Sequence, residues 1–437
     1  MNPSIKNEAT AKFQIGHRWL AVTGLVLFLV GVAAGGARAV KKYQPPGPFT
    51  HDNAGFCDFH NGLYYPTAAV LKGISPYGRE YADAYPVDRA IPFFSPGFLV
   101  LHAPIVMLPL RAAEILFFVL IVITALGIAY LTASMAGMPK RLDAILLIAG
   151  LLVFSRGGHS TFYNGYFTFE IILAALLAVH FADRRPWWSA FALVVVSAKP
   201  TYILPLGFLL LARRNFKALL IGAVLSILAA GIPFAWIAYQ TGDGDLGAGF
   251  AQIADDIRAT QEVHMQVPDE QPIHSWTRLD ILAVAAKWLE VDPDQTIHLL
   301  VMFAVLAVPM VLLYRRAQLG IDDGAAGLTG LLILSAFLAS LYHQFYDSLV
   351  LIAPLGGLMI GRVAGWKTVG LPTRIILAGL MLLPLFNYFS TRIFLRVVSP
   401  GDYALKVLTS VSGLAIFVVM IFACLLAFQQ TRRMPTD

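Results

Sequence analysis

The sequence predicts an all-α polytopic membrane protein with about twelve transmembrane helices and outer-face loops that carry interfacial helices. Three observations predict it. Hydrophobic residues make up 58% of the 437 residues and charged residues only 13%, against about 25% charge in a soluble domain. Apolar runs of about 20 residues, the length that crosses a bilayer, recur along the chain. Basic pairs punctuate those runs at intervals that suit the cytoplasmic ends of membrane helices.

The runs counted as spans are approximately 19–37, 112–135, 141–155, 165–182, 186–199, 200–212, 216–238, 295–314, 325–342, 345–361, 370–389 and 405–428. The first, Trp19 to Ala37, lacks a small-residue cleavage site and reads as a retained anchor. Lys6, Lys12 and Arg18 precede it. Lys140-Arg141, Arg184-Arg185, Arg213-Arg214 with Lys217, Arg315-Arg316, Arg362 with Lys367, and Arg432-Arg433 follow. Placing these inside puts both termini in the cytoplasm. The net charge of +6 is then a topology signal and needs no nucleic-acid partner. Several runs are too short to cross alone, notably those meeting at Lys199-Pro200, where the proline breaks the helix.

The chain then reads as a single integral membrane domain, residues 1–437, with two sizeable outer segments at about 38–111 and 239–294. Within the first, "FFSPGFLVLHAPIVMLPL" (93–110) is apolar but holds Pro96, Pro104 and Pro109. It reads as an interfacial or re-entrant segment, the alternative being a thirteenth, proline-kinked span. Cys57 and Cys424 are too few for a disulfide framework.

The polar residues collect near the outer ends of the spans. A helix starting near Asp58 would set Phe59, Leu63, Pro66 and Val70 in an apolar row at the membrane interface. Asp58 then either caps that helix or faces a cavity, and Asp52 poses the same choice. Lys199 sits between two apolar half-spans, where a charge is expensive, unless it snorkels. His343 and Asp347 in "SLYHQFYDSLV" share a face if that turn is helical; two such groups are too few for a metal site. "PIHSWTRLD" in the second outer segment sets Arg278 beside Trp276 and His274. Arg156 and Asn164 bracket "RGGHSTFYNG", and Glu170 falls inside an expected span. Asp243-Gly244-Asp245 has the form of a metal-binding triplet, but its glycine-rich flanks favour a loop.

The stretch "DFHNGLYYPTAAVLKGISPY" resembles the first outer loop of glycosyltransferase family 87, within the GT-C class. The likeness rests on Asp58-Phe59, Tyr64-Tyr65, Ala68-Ala69, Gly73 and Pro76-Tyr77, then on the proline-rich 93–110 segment and on Lys199-Pro200. Many members carry Gly-Gln-x-Asn where this chain has "YNGYFT" (163–168). The resemblance implies a GT-C fold and an inverting, metal-independent enzyme without a cofactor. Its donor would be a polyprenyl-phosphate sugar, mannose being the most typical, and its acceptor a glycolipid or glycan at the outer face of the plasma membrane. In that reading Asp58 is the general base, and Lys199, His343 and Arg278 hold the donor phosphate and sugar. Tyr65, Trp276 and Asn164 complete the substrate site. A lipid or polyol transporter without chemistry is the alternative; it calls for polar groups along a path and for repeats. An inactive, lipid-binding scaffold is a third reading.

Overall fold

A computed structural model describes residues 14–47, 53–88, 90, 94–267 and 270–433. Lys6, Lys12, Asp52 and the start of the proline-rich segment at Phe93 lie outside the described residues. The described chain is helical and contains no strands, only isolated bridges.

The N-terminal part runs α1 (Arg18–Lys41), α2 (Cys57–Phe59), a π-turn (His60–Tyr64), α3 (Tyr65–Leu71), α4 (Arg79–Ala84), α5 (Pro96–Leu101), α6 (Ala103–Val106) and α7 (Leu110–Met135). The middle holds α8 (Leu142–Phe154), α9 (Arg156–Asn164), α10 (Thr168–Phe181), α11 (Pro186–Val196), α12 (Pro200–Ala212) and α13 (Phe216–Thr241). Then come α14 (Leu246–Met265), α15 (Ile281–Leu289), α16 (Gln295–Gln318), α17 (Leu328–Ser340) and a 3₁₀ segment (Phe345–Leu351) leading into α18 (Ile352–Ile360). The chain closes with α19 (Ala364–Lys367), α20 (Leu371–Phe386), α21 (Arg392–Val398) and α22 (Asp402–Arg432).

Each apolar run expected to span the membrane falls on a helix. Six helices are long and apolar enough to cross: α1, α7, α13, α16, the stretch Leu371–Ser390, and α22. α8 and α9 form a seventh, bent by 68°. The bend has a local cause: Ser155 leaves helical geometry and its hydroxyl caps α9 by accepting from the Gly158 N–H at 3.0 Å. The other five runs are shorter apolar helices. α17 explains why short helices suffice here. All 13 of its residues are buried, so it is a core element wrapped by the longer helices, and it is only about 20 Å long.

The proline-rich segment does not form one span-length helix. α5 and α6 are two short pieces broken at His102, and α5 packs against the middle of α13. Gly97 makes that approach: a Cβ there would lie 2.3 Å from the Ala229 carbonyl oxygen. His102 Nε2 reaches Glu170 Oε2 at 2.9 Å, which supplies the polar partner that Glu170 needs in α10.

The two ends of the bundle carry different chemistry. At the end where α10 and α12 finish and α17 begins, Arg213 pairs with Asp183 and Asp322, and Arg316 pairs with Asp323 at 3.3 Å and takes Gln430 at 2.7 Å. At the opposite end α12 starts at Lys199 and α17 runs out toward His343. α1 lies on α8 through small residues, the usual device where apolar packing alone must hold membrane helices together. A Cβ on Gly24 would meet the Leu146 backbone at 2.4 Å. Gly24→Leu therefore pushes α1 off α8 and lowers the melting temperature in detergent, by overpacking worth about 1–3 kcal/mol. Gly127→Ala in α7, where nothing lies within 4 Å, leaves it unchanged.

Candidate active site

The first loop is locked in place one residue at a time. Gly165 ends α9 in the left-handed region at φ 69°. A side chain there would press on Phe59 Cβ at 2.9 Å and Phe56 Cδ1 at 3.0 Å, so glycine allows both rings to seat against the end of α9. The Phe56 N–H bonds to the Tyr163 carbonyl at 3.0 Å while Phe56 itself holds φ 61°. A non-glycine residue in that region costs energy and needs tertiary support. Two residues later comes Asp58, and after Phe59 the π-turn, a geometry that concentrates at functional sites.

Asp58 is thus set beside the end of α9. Its carboxyl is pushed up to about 6 by burial; a hydrogen bond from Asn164, the Cys57 thiol and the Lys199 charge oppose that rise, and the Glu270 charge adds to it. Asn164 is thus within hydrogen-bond reach of Asp58, and the Lys199 and Glu270 charges are near enough to act on it, although these residues come from α9, the α11–α12 junction and the loop between α14 and α15.

Lys199 caps the start of α12 and lies 3.8 Å from Asp347 Oδ1. Its ammonium sits over three tyrosine rings, Tyr166 and Tyr346 at 4.9 Å and Tyr202 at 5.2 Å from the centroids. Asp347 is buried and takes a hydrogen bond from the Tyr202 hydroxyl at 2.5 Å, one from the Gln344 N–H at 2.9 Å, and a contact from His343 Nδ1 at 3.2 Å. Gly157 lets the start of α9 close on this group, since a Cβ there would lie 2.9 Å from Tyr346 Cα. Glu270 accepts from the Tyr342 hydroxyl and lies 3.4 Å from the Gln344 amide. The Leu279 N–H bonds to the His343 carbonyl at 2.9 Å, which stitches this loop to the same turn.

The expected site residues divide accordingly. Asp58, Asn164 and Lys199 come together. His343 stands behind them, fully buried against Phe337 and Tyr202, with Nε2 unpartnered and Nδ1 on Asp347. Arg278 is buried and forks onto Asp280 at 2.9 and 3.0 Å, so its guanidinium is already occupied by a carboxylate. Tyr65 packs edge-on to Tyr64 at 5.2 Å and against Tyr85, in a separate aromatic cluster. Trp276 lies against Arg156, which is itself bound to Asn387 and Ser390. Tyr166 and Glu270 join the site without having been singled out, and Tyr346 joins it as a neighbour of His343. Tyr166 sits inside the divergent "YNGYFT" stretch and Tyr346 inside the His343 turn, but nothing in the sequence marks Glu270 among the loop acids.

Among the described residues no three His, Cys, Asp or Glu side chains gather as a metal would need. The Asp243-Gly244-Asp245 triplet is exposed, and Asp245 caps α14 by accepting from the Gly247 and Ala248 N–H groups at 2.8 and 3.2 Å.

A family model described as glycosyltransferase family 87 matches residues 93–341, more than half of the chain. Asn164, Lys199, Trp276 and Arg278 fall within the matched stretch; Asp58, Tyr65 and His343 lie outside it. No curated protein and no solved structure matches the chain. With the apolar helical bundle and the extent of that match together, the chain belongs to glycosyltransferase family 87.

Proposed function

We propose that this glycosyltransferase moves a sugar, mannose in the first instance, from a polyprenyl-phosphate donor to a lipid-linked or glycan acceptor. The observation that carries the reading is that Asp58, a buried carboxyl, lies close enough to the Lys199 ammonium to feel its charge, at one end of the bundle. The reaction needs both. Asp58 takes the proton of the acceptor hydroxyl as its oxygen attacks the anomeric carbon. The bond from that carbon to the phosphate oxygen breaks, and Lys199 stabilises the phosphate that leaves with the electron pair. One displacement with a base on the far side from the leaving group inverts the anomeric centre. Tyr166 and Tyr346, packed on each other with ring centroids 5.3 Å apart, wall the Lys199 side of the site, and Glu270 accepts from the sugar's hydroxyls. Asp347 and His343 act from behind, by holding Lys199.

The same reading puts the site on the outer face of the plasma membrane and both termini in the cytoplasm. The arginines gathered at the far ends of α12 and α16 support that orientation. It also favours a lipid-borne donor over a cytoplasmic sugar nucleotide.

Three measurements test it. Purified full-length protein is given radiolabelled polyprenyl-phosphate mannose and a mixed membrane-lipid extract. Wild type transfers label, and folded Asp58→Asn loses about 100- to 10,000-fold in rate, the span typical of a general base; undiminished transfer by the variant removes Asp58 from the role. The pH profile of kcat/KM has an acid limb. Below about 6 the Asp58 carboxyl is protonated and cannot accept a proton, so the rate falls about tenfold per pH unit there and is flat just above. Lys199→Gln lowers kcat by about 100- to 1,000-fold, while Lys199→Arg keeps part of the rate; equal losses in both contradict a charge-stabilising role.

A further inference from the structure

Trp276 belongs to a second feature at the site end of the bundle. It lines a cleft of about 380 Å³ with Arg392, Leu395, Arg396, Pro400 and Leu405. Arg392, Leu395, Arg396 and Ser399 recur at i, i+3, i+4 and i+7, so one face of α21 forms the cleft wall. The helix is held in that attitude by Thr391, whose hydroxyl caps its start, and by Ser399, which ends it at φ 44°. Neither Arg392 nor Arg396 has an ion pair among the described residues, and both are exposed. The adjoining face carries Ile393 and Val397, which are 61% and 80% exposed, with Phe389 just before them.

That arrangement is the profile of a helix lying at a membrane surface. An exposed apolar face enters the acyl region, arginines sit beside it at headgroup depth, and a tryptophan marks the boundary. The cleft walls Leu395, Pro400 and Leu405 are apolar, whereas the two free guanidiniums call for an anion.

We infer that this cleft binds the anionic headgroup of a bilayer phospholipid, with Arg392 and Arg396 on the phosphate. The donor's phosphate is a poor occupant, because no member of the Lys199 group lines the cleft. Arg156 adjoins it, with its guanidinium 5.6 Å from the Trp276 ring and 4.0 Å from the Phe345 ring, and is held by the Asn387 and Ser390 carbonyls at 3.3 and 3.2 Å. A resident lipid there would instead brace the loop that carries Glu270 and Trp276.

The test uses full-length protein in neutral detergent and native mass spectrometry. Phosphatidylglycerol is the probe, phosphatidylcholine the zwitterionic control and farnesyl phosphate the donor-like control. Wild type retains phosphatidylglycerol over phosphatidylcholine. Arg392→Gln/Arg396→Gln cuts that retention at least about fivefold, with farnesyl phosphate binding and melting temperature unchanged. Arg396→Gln alone gives a smaller loss of the same kind and serves if the double variant fails to fold. Equal phosphatidylglycerol retention by wild type and variant overturns the assignment. So does a loss confined to farnesyl phosphate, which would make the cleft a donor site.

Discussion

A carboxylate with 2% of its surface exposed has to be met by donors, and the Asp347 group joins three places in the chain. Lys199 and Tyr202 come from the start of α12, His343 and the Gln344 backbone from the turn after α17, and the carboxylate itself from the 3₁₀ segment that follows. Removing one member of such a group leaves a buried charge uncompensated, a loss of about 3–5 kcal/mol. The group therefore fixes where α12, α17 and the 3₁₀ segment meet. It also fixes the direction of the Lys199 ammonium, which has little freedom left between three tyrosine rings and one carboxylate.

Everything polar at this end is built onto that joint. α9 approaches it through Gly157 and then stops at Gly165, where the first loop docks Phe56 and Phe59 and turns Asp58 inward. The loop between α14 and α15 docks through the Leu279 N–H and brings Glu270. The short pair α5–α6 closes the side toward α13 and gives Glu170 its His102 partner. The site is thus made of loops, but loops seated on a rigid, buried ion pair. Such a frame can hold two reacting groups of opposite charge apart while a lipid and an acceptor exchange around it.

The helices were legible because their signal is long and repetitive. A run such as 216–238 or 405–428 has one physical interpretation, and both became long helices. The break at Lys199-Pro200 was equally clear, since proline stops one helix and starts the next. Asp58 and Lys199 stood out because a charge near an apolar run is costly wherever it goes. Side-chain direction was not legible. Tyr65 follows Tyr64 in the sequence, and it is packing against Tyr85 that seats it in a separate aromatic cluster. Arg278 looked free for phosphate, yet Asp280, two residues on, occupies its fork. Glu270 lies in a polar loop where any acid would look ordinary. Its position depends on Tyr342 and Gln344, more than seventy residues away.

The central claim is that Asp58 and Lys199 flank one reacting bond. A cryo-electron microscopy map of the full-length protein with a polyprenyl phosphonate analogue of the sugar donor tests it most directly. The account predicts the phosphonate within about 4 Å of the Lys199 ammonium, with the anomeric carbon turned toward the Asp58 carboxylate. A phosphonate seated elsewhere, with Asp58 and Lys199 on the same side of the sugar or away from it, would contradict the account.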